Sequence, residues 1–252
     1  MATKFGAISG PKPVIAATRT LAILDAFSTD HLHLGLTEIS CRVQLAKSTT
    51  QRLLKTLEAS HYLAQDESGK WRLGPATASL GMRYQMSFDI HSMVEPSLRR
   101  LSDSIGQDVS FFVQDGGRRI RVAKVMCPTA HHGRASVGDS MPLDKGAAGR
   151  VMLAAMGRQG TVYDEIRRAG YHITVGEAKR TSASIAVPVF GSRWKVVGAL
   201  CVGAPAGDAV KARLVCFAEP LKRTAALLSA ALSFAADDPS ERVKVAQSSW
   251  HP

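Results

Sequence analysis

Leu45–Glu58, LAKSTTQRLLKTLE, is a stretch with two faces of opposite character. At 100° per residue, Leu53, Leu54 and Leu57 share one arc of a helix and Thr50 falls inside it, while Ser48, Gln51, Arg52 and Lys55 gather on the other side. The outer side carries no acid, and Glu58 lies only at its border, towards the C-terminal end. Exposed helix faces usually mix both signs of charge, so a one-signed face points to an anionic partner, with a merely solvated face as the competing reading. Arginine pairs bidentately with guanine, glutamine suits adenine, serine and lysine serve bases or phosphates, and the amides at a helix start favour a phosphate oxygen.

Upstream, Val14, Ala17, Leu21, Leu24 and Phe27 recur at intervals of three and four, which predicts a helix with one apolar face. A second short helix over Thr37–Val43 offers Leu36, Ile39 and Val43 to a common core, and Gln44 and Leu45 make a brief turn into the third. Downstream, Tyr62–Ala64 and Trp71–Leu73 flank Asp66, Glu67, Ser68 and Gly69, the pattern of a small hairpin. Three helices followed by a two-stranded hairpin form the plan of a winged helix-turn-helix, expected over residues 14–74 behind a flexible arm, 1–13. On that plan the candidate DNA contacts are Lys47, Ser48, Thr49, Gln51, Arg52 and Lys55 in the third helix. Lys70 and Arg72 join them on the wing.

The rest of the chain reads as a second domain. Residues 75–88 predict a linker helix with Leu80 and Met82 among small residues, and Leu98, Leu101 and Ile105 mark another helix, whose early start Pro96 limits. Two hairpins follow, one around Asp115–Gly117 and one around Gly191 and Ser192, with a helical stretch over Ala209–Phe234. The expected class is α+β: an antiparallel sheet over residues 89–236, covered by helices on one side, with a flexible tail from 237 to 252. Between the hairpins, Lys145–Gly149 is small-residued at a helix start. That composition suits either a ligand approaching the backbone or close helix packing.

Composition bounds the function. The 252 residues are 45% apolar and 21% charged, which excludes a chain disordered throughout. Lysine and arginine exceed the acids by 32 to 21, giving +11, and a polyanionic partner is one explanation of that surplus. The four cysteines are far apart, with no CxxC pair, so a reducing cytoplasm is the expected setting and no disulfide framework is needed. The longest apolar run, Ala225–Ala236, is too short to span a bilayer and no signal region opens the chain, so no membrane partner is expected. GxSxG, Walker, HExxH and strand-following GxGxxG motifs are missing, so no catalytic residue is assigned. His131 and His132 are neighbours that would point apart on a strand, so no metal and no cofactor are expected.

The order of motifs resembles the IclR family of bacterial transcriptional regulators. The likeness is carried by TRTLAILDAF (18–27), LTEIS (36–40), LAKSTTQRLLKTLE (45–58), HYL (61–63) and WRLG (71–74). It continues in VGDSMPLDKGAAGRVMLA (137–154), RRAGY (167–171) and IAVPVF through ALCVGAP (185–205). Four departures stand out: His61 replaces a common glycine after the third helix, Thr50 replaces an aliphatic residue, the segment between Ala154 and Asp164 is short, and Thr174 replaces an acid. The resemblance implies a GAF-like effector domain and a homodimer or homotetramer on double-stranded operator DNA. Carried over motif by motif, its effector pocket falls on Gly146, Ala147, Thr174, Ser184, Cys201 and Gly203. With Lys145 beside them and no carboxylate among them, the expected ligand is a small organic acid. The alternative is a GAF-type thiol enzyme acting through Cys127 or Cys201, with an accessory winged helix.

Overall fold

The computed structural model describes residues 13–28, 30–87, 90–128 and 135–237. The expected arm apart from Pro13, the tail beyond Asp237 and the His131–His132 pair lie outside them. Contacts divide the chain into a unit over residues 1–88 and a unit over 89–252.

The first unit contains α1 (Ile15–Leu24), α2 (Leu36–Val43), α3 (Lys47–Ala59), β1 (Leu63–Gln65), β2 (Trp71–Leu73) and α4 (Pro75–Ser87). β1 and β2 pair antiparallel, Leu63 opposite Leu73, and make the wing. Ile23, Leu34, Ile39, Leu54, Leu57, Leu63 and Trp71 form its core. Leu34 and Trp71 exchange backbone hydrogen bonds of 2.9 and 2.8 Å, which ties the loop before α2 to the wing. Thr50 is tolerated in that core because its hydroxyl donates to the Ala46 carbonyl, 3.1 Å away, so no polar group is left unpaired. His61 takes the left-handed conformation that its position requires, φ +60°. Its carbonyl lies 2.3 Å from where a Cβ on residue 74 would sit, which restricts that position to Gly74.

The apolar row expected to bury α1 is only partly right. Of that row Phe27 enters the core and Leu24 packs against it, whereas Val14, Ala17 and Leu21 stay exposed and Ile23, outside the row, is buried instead. α1 is apolar around most of its circumference, and this small core accepts one stripe of it. The other stripe remains at the surface, as do Leu80, Met82 and Met86 of α4.

The second unit begins with a π-helical turn, Ile90–Val94, that leads into α5 (Glu95–Ile105), with Pro96 in the first turn where no amide is needed. Then follow β3 (Val109–Asp115), β4 (Arg118–Val125), β5 (Ser140–Pro142), α6 (Gly146–Ala155), α7 (Thr161–Ala169), β6 (His172–Val175), β7 (Ser182–Phe190), β8 (Val196–Pro205), α8 (Val210–Val215) and α9 (Ala218–Asp237). α7 forms although the segment before it is short. The strands make one antiparallel sheet in the order β5-β4-β3-β8-β7-β6. Both expected hairpins are present, and the tight turn after Asp115 uses Gly116 at φ +54°.

Helices cover this sheet on both faces, not on one. Phe111, Ile185, Val187, Leu200 and Val202 pack with Leu98 and Leu101 of α5 and Leu221 and Leu228 of α9. The opposite face puts Phe112, Ala186, Ala199 and Cys201 against α6, whose Ala147, Ala148, Val151 and Met152 are buried, and Ile166 of α7 joins that cluster. Small side chains on both partners let α6 come close: a Cβ on Gly149 would stand 2.0 Å from the Leu143 carbonyl oxygen. The one-sided expectation failed because alanines and a cysteine alternate with aliphatic residues in β7 and β8, so the second apolar face is weak in sequence.

Candidate nucleic-acid interface and effector face

Lys47, Ser48, Arg52 and Lys55 are exposed on α3, Thr49 and Gln51 are half-buried, and Lys70 and Arg72 are exposed on the wing. Ala46 precedes α3 and no side chain caps it, so the first-turn amides remain open to an outside acceptor. Lys55 is engaged within the unit, its Nζ 2.7 Å from Glu58 Oε2 and 5.3 Å from the centre of the Trp71 ring. Among the described residues, Lys47 and Arg52 have no such ion pair. The wing tip is ordered by Asp66, whose Oδ1 accepts from Ser68 N, Ser68 Oγ and Lys70 N at 3.0, 2.7 and 3.0 Å. Its Oδ2 lies 2.8 Å from His33 Nδ1. Hydrogen bonds from Ser68 and then His33 hold the Asp66 carboxyl down at about 2. The turn of the expected hairpin is thus closed by an aspartate side chain bonding to the backbone two residues on. His33, from a distant loop, is a partner that no local signal could disclose.

In the second unit, strand pairing sets Thr174 opposite Ser184, Ser184 opposite Gly203, Cys201 opposite Ser110, Ser110 opposite Lys124 and Phe112 opposite Arg121. Thr174, Ser184, Cys201 and Gly203 thus share the sheet face that α6 covers in part. The α6 start joins them through hydrogen bonds. Ala147 N–H donates to Thr174 Oγ1 at 3.0 Å, and that oxygen is 3.2 Å from Ser184 Oγ. Gly146 N–H donates to Glu177 Oε2 at 3.1 Å, and the same oxygen accepts from Arg150 Nε at 2.8 Å. Lys145 is exposed just before α6, and its carbonyl accepts from Arg119. Gly146 is closely packed, since a Cβ there would meet Arg119 Nη2 at 3.0 Å, whereas a Cβ on Gly203 would meet nothing within 4 Å. The face is therefore closed at α6 and open over Gly203. Burial pushes the Cys201 thiol up, against the opposing pull of Arg119 and Arg121, so it rests as a thiol.

Arg119 and Arg121 are the residues of this face that the sequence reading passed over. Their relative exposures are 2% and 7%. Arg119 Nη1 donates to the carbonyls of Pro142 and Lys145, and its Nη2 lies 3.8 Å from Met141 Sδ. Arg121 Nη1 is 3.1 Å from Asp139 Oδ2 and 3.3 Å from the Ser136 carbonyl. The guanidinium carbons stand 5.5 and 4.9 Å from the centre of the Phe112 ring. The Nε of each is buried without a hydrogen-bond partner among the described residues. Burial is also the main cause that pushes both guanidinium groups below their usual value. The run Arg118–Val125, RRIRVAKV, gives no warning, because arginines alternating with aliphatic residues resemble the wet side of a strand.

One surface groove of about 630 Å³ lies beside the β3–β4 turn, lined in part by Leu143 and Asp144 just before α6, and another of about 610 Å³ lies between α5 and α9. Among the described residues no cluster of His, Cys, Asp or Glu could hold a metal. No helix there is long and apolar enough to cross a membrane.

Comparison with known proteins agrees with both halves. The IclR helix-turn-helix domain matches residues 16–67, and the C-terminal domain of the bacterial transcriptional regulator IclR matches 82–163 and 160–230. The chain is similar to the HTH-type transcriptional regulator XynR of Escherichia coli K12, with 29% identity covering 89% of this chain and 100% of that one. In fold it resembles an IclR transcriptional regulator from Alicyclobacillus acidocaldarius, at a TM-score of 0.75 and 23% identity over 87% of this chain and 99% of the other. It also resembles an IclR homologue from Microbacterium hydrocarbonoxydans complexed with 4-hydroxybenzoate, at 0.69 and 22% over 86% and 98%. A winged helix followed by an antiparallel sheet domain, and family matches that span most of its length, make this chain a member of the IclR family of DNA-binding transcriptional regulators.

Proposed function

We propose that this regulator reads double-stranded operator DNA with α3 and the wing, and that a small organic acid held on the α6-facing side of the sheet modulates that binding. The observation that carries the reading is the α3 surface: exposed Lys47, Ser48 and Arg52 beside uncapped first-turn amides, with Lys70 and Arg72 next to it on the wing. Arg52 and Gln51 read base edges, and Lys47, Ser48, Thr49, Lys55, Lys70 and Arg72 hold phosphates or bases. The working division is 14–74 for DNA, 75–88 for the linker and 89–236 for the effector.

A single winged helix covers one short half-site, so operator-level specificity calls for a homodimer or homotetramer on a two-fold site. The exposed Leu21 of α1 and Leu80, Met82 and Met86 of α4 support that assembly, since apolar side chains left in water favour association. The effector residues in this reading are Lys145, Gly146, Ala147, Thr174, Ser184, Cys201 and Gly203, and the Microbacterium homologue's 4-hydroxybenzoate supports an acid as ligand. The chain works in the cytoplasm and carries out no catalysis. The thiol-enzyme alternative gains nothing from a Cys201 that burial keeps protonated.

Selection of duplexes from a random pool by the full chain, followed by footprinting, tests the reading. A two-fold sequence protected over two half-sites about 34 Å apart, one helical turn, is expected. No enrichment over the starting pool overturns it.

A further inference from the structure

We infer that His33, which lies in neither the recognition helix nor the wing, is a positioning residue for DNA binding: through Asp66 it ties the wing tip, and with it Lys70, to the helix-turn-helix. The inference rests on the reading above that α3 and the wing touch DNA, and it adds a residue that acts on that contact without making it.

The wing does not set its own direction. β1 and β2 are three residues each, and an isolated hairpin of two strands is marginal in water. Its root is held to the rest of the unit by the two backbone hydrogen bonds between Leu34 and Trp71, and by Leu63 and Trp71 in the core. The tip has no such support, since Glu67, Ser68, Gly69 and Lys70 are all exposed. A lysine on a tip free to pivot loses that freedom when it binds a phosphate, which weakens the contact, whereas one on a fixed tip does not.

His33 supplies the tie. It stands one residue before Leu34, so the bridge that anchors the root also brings its ring to the turn. Its Nδ1 lies 2.8 Å from Asp66 Oδ2, and because an ionised carboxylate only accepts, the ring donates. The other oxygen, Oδ1, accepts from Ser68 N, Ser68 Oγ and Lys70 N. Asp66 N donates in turn to the Lys70 carbonyl at 2.8 Å, so both backbone polar groups of Lys70 are bonded to this one residue. His33, Asp66 and Lys70 thus form one chain of contacts from the loop before α2 to an exposed ammonium.

The same geometry accounts for an acid on a basic surface. A carboxylate near Lys70 and Arg72 with both oxygens free would repel a phosphate. Both Asp66 oxygens are instead taken by donors of the turn and of His33. The side chains of the pair are 50% and 24% exposed, so the contact adds little to the stability of the fold, and its consequence falls on the aim of the wing.

Anisotropy titrations of the full chain on the selected duplex, over a series of salt concentrations, test this with His33→Ala, His33→Asn, Lys70→Ala and the double variant His33→Ala with Lys70→Ala. All are made at a temperature where circular dichroism shows each variant fully folded, so that lost stability does not imitate lost affinity. His33→Ala should weaken the duplex about 2- to 5-fold, the scale of one surface pair, and lower the slope of log K against log salt by up to about one. His33→Asn, whose amide nitrogen stands in for Nδ1, should recover most of both. The double variant should bind as Lys70→Ala does, because His33 acts through Lys70. An unchanged His33→Ala affinity, or a His33→Asn chain as weak as His33→Ala, overturns the inference. Losses that add in the double variant also overturn it and make His33 a phosphate contact in its own right. A Lys70→Ala chain of unchanged affinity and slope, in contrast, removes the wing contact itself, so failure of the interface reading is told apart from failure of the tie.

Discussion

The chain carries two clusters of positive charge built on opposite terms. On α3 and the wing, Lys47, Arg52, Lys70 and Arg72 stand in water, spread over two elements close in sequence. On β4, Arg119 and Arg121 are buried against the Phe112 ring and the segment that follows the strand, and Arg121 and Lys124 are ion-paired with Asp139 and Asp108. Exposed charges are screened, act additively and recognise a polyanion through many weak contacts. Buried charges are hardly screened and demand a particular partner at a particular place. The first arrangement suits a long duplex, and the second ties β4 to the chain around it.

Mutations that exchange these terms would break the comparison. The largest effect is expected from Arg119→Ala, which strands the Pro142 and Lys145 carbonyls and leaves a void beside Gly146. The second unit should lose about 2 to 4 kcal/mol in chemical denaturation, since each buried unsatisfied group costs about 1 to 3 kcal/mol. Arg52→Ala, in contrast, should leave stability within about 0.5 kcal/mol of wild type. It should weaken the selected duplex by about 1 to 3 kcal/mol in an anisotropy titration and relax preference at one position of each half-site. Equal loss on random DNA would move Arg52 from base readout to phosphate contact. Lys70→Ala should weaken all duplexes alike and reduce the slope of log K against log salt by about one. An unchanged slope removes Lys70 from the interface.

The smallest effect concerns pH. The Asp66 carboxyl is held at about 2, below the ordinary 3.8, so its support of the wing is complete above the ordinary value and disappears as pH falls through about 2. Amide NMR signals of Ser68 and Lys70 should keep their positions at pH 3 in the wild-type chain. They should move over the range of an ordinary aspartate if the hydrogen bonds to Asp66 are absent in solution.

Much of the first unit was legible because its signals are local. The three leucines of α3, the Asp66–Gly69 turn and the positive φ forced on His61 each lie within a few residues of what they determine. The exposed stripe of α1 was misread because periodicity finds apolar rows and does not say which of two rows a small core will take. The second unit was legible as hairpins but not as a site. Cys201, Ser110 and Lys124 become neighbours only when β8, β3 and β4 pair across long separations. The burial of Arg119 and Arg121 depends on the later segment 135–145 lying against β4. The helix start at Lys145–Gly149 was singled out for its open amides, yet the two that the structure shows engaged meet Glu177 and Thr174, about thirty residues on.

The proposed function holds only if an acid bound to the second unit changes the duplex affinity of the first. The direct measurement is the affinity of the full chain for its selected duplex, by fluorescence anisotropy at fixed salt, with and without saturating 4-hydroxybenzoate. A coupling of about 1 to 3 kcal/mol, a change of about 5- to 150-fold in duplex affinity, is expected. A duplex affinity that the bound acid leaves unchanged in the wild-type chain would contradict it.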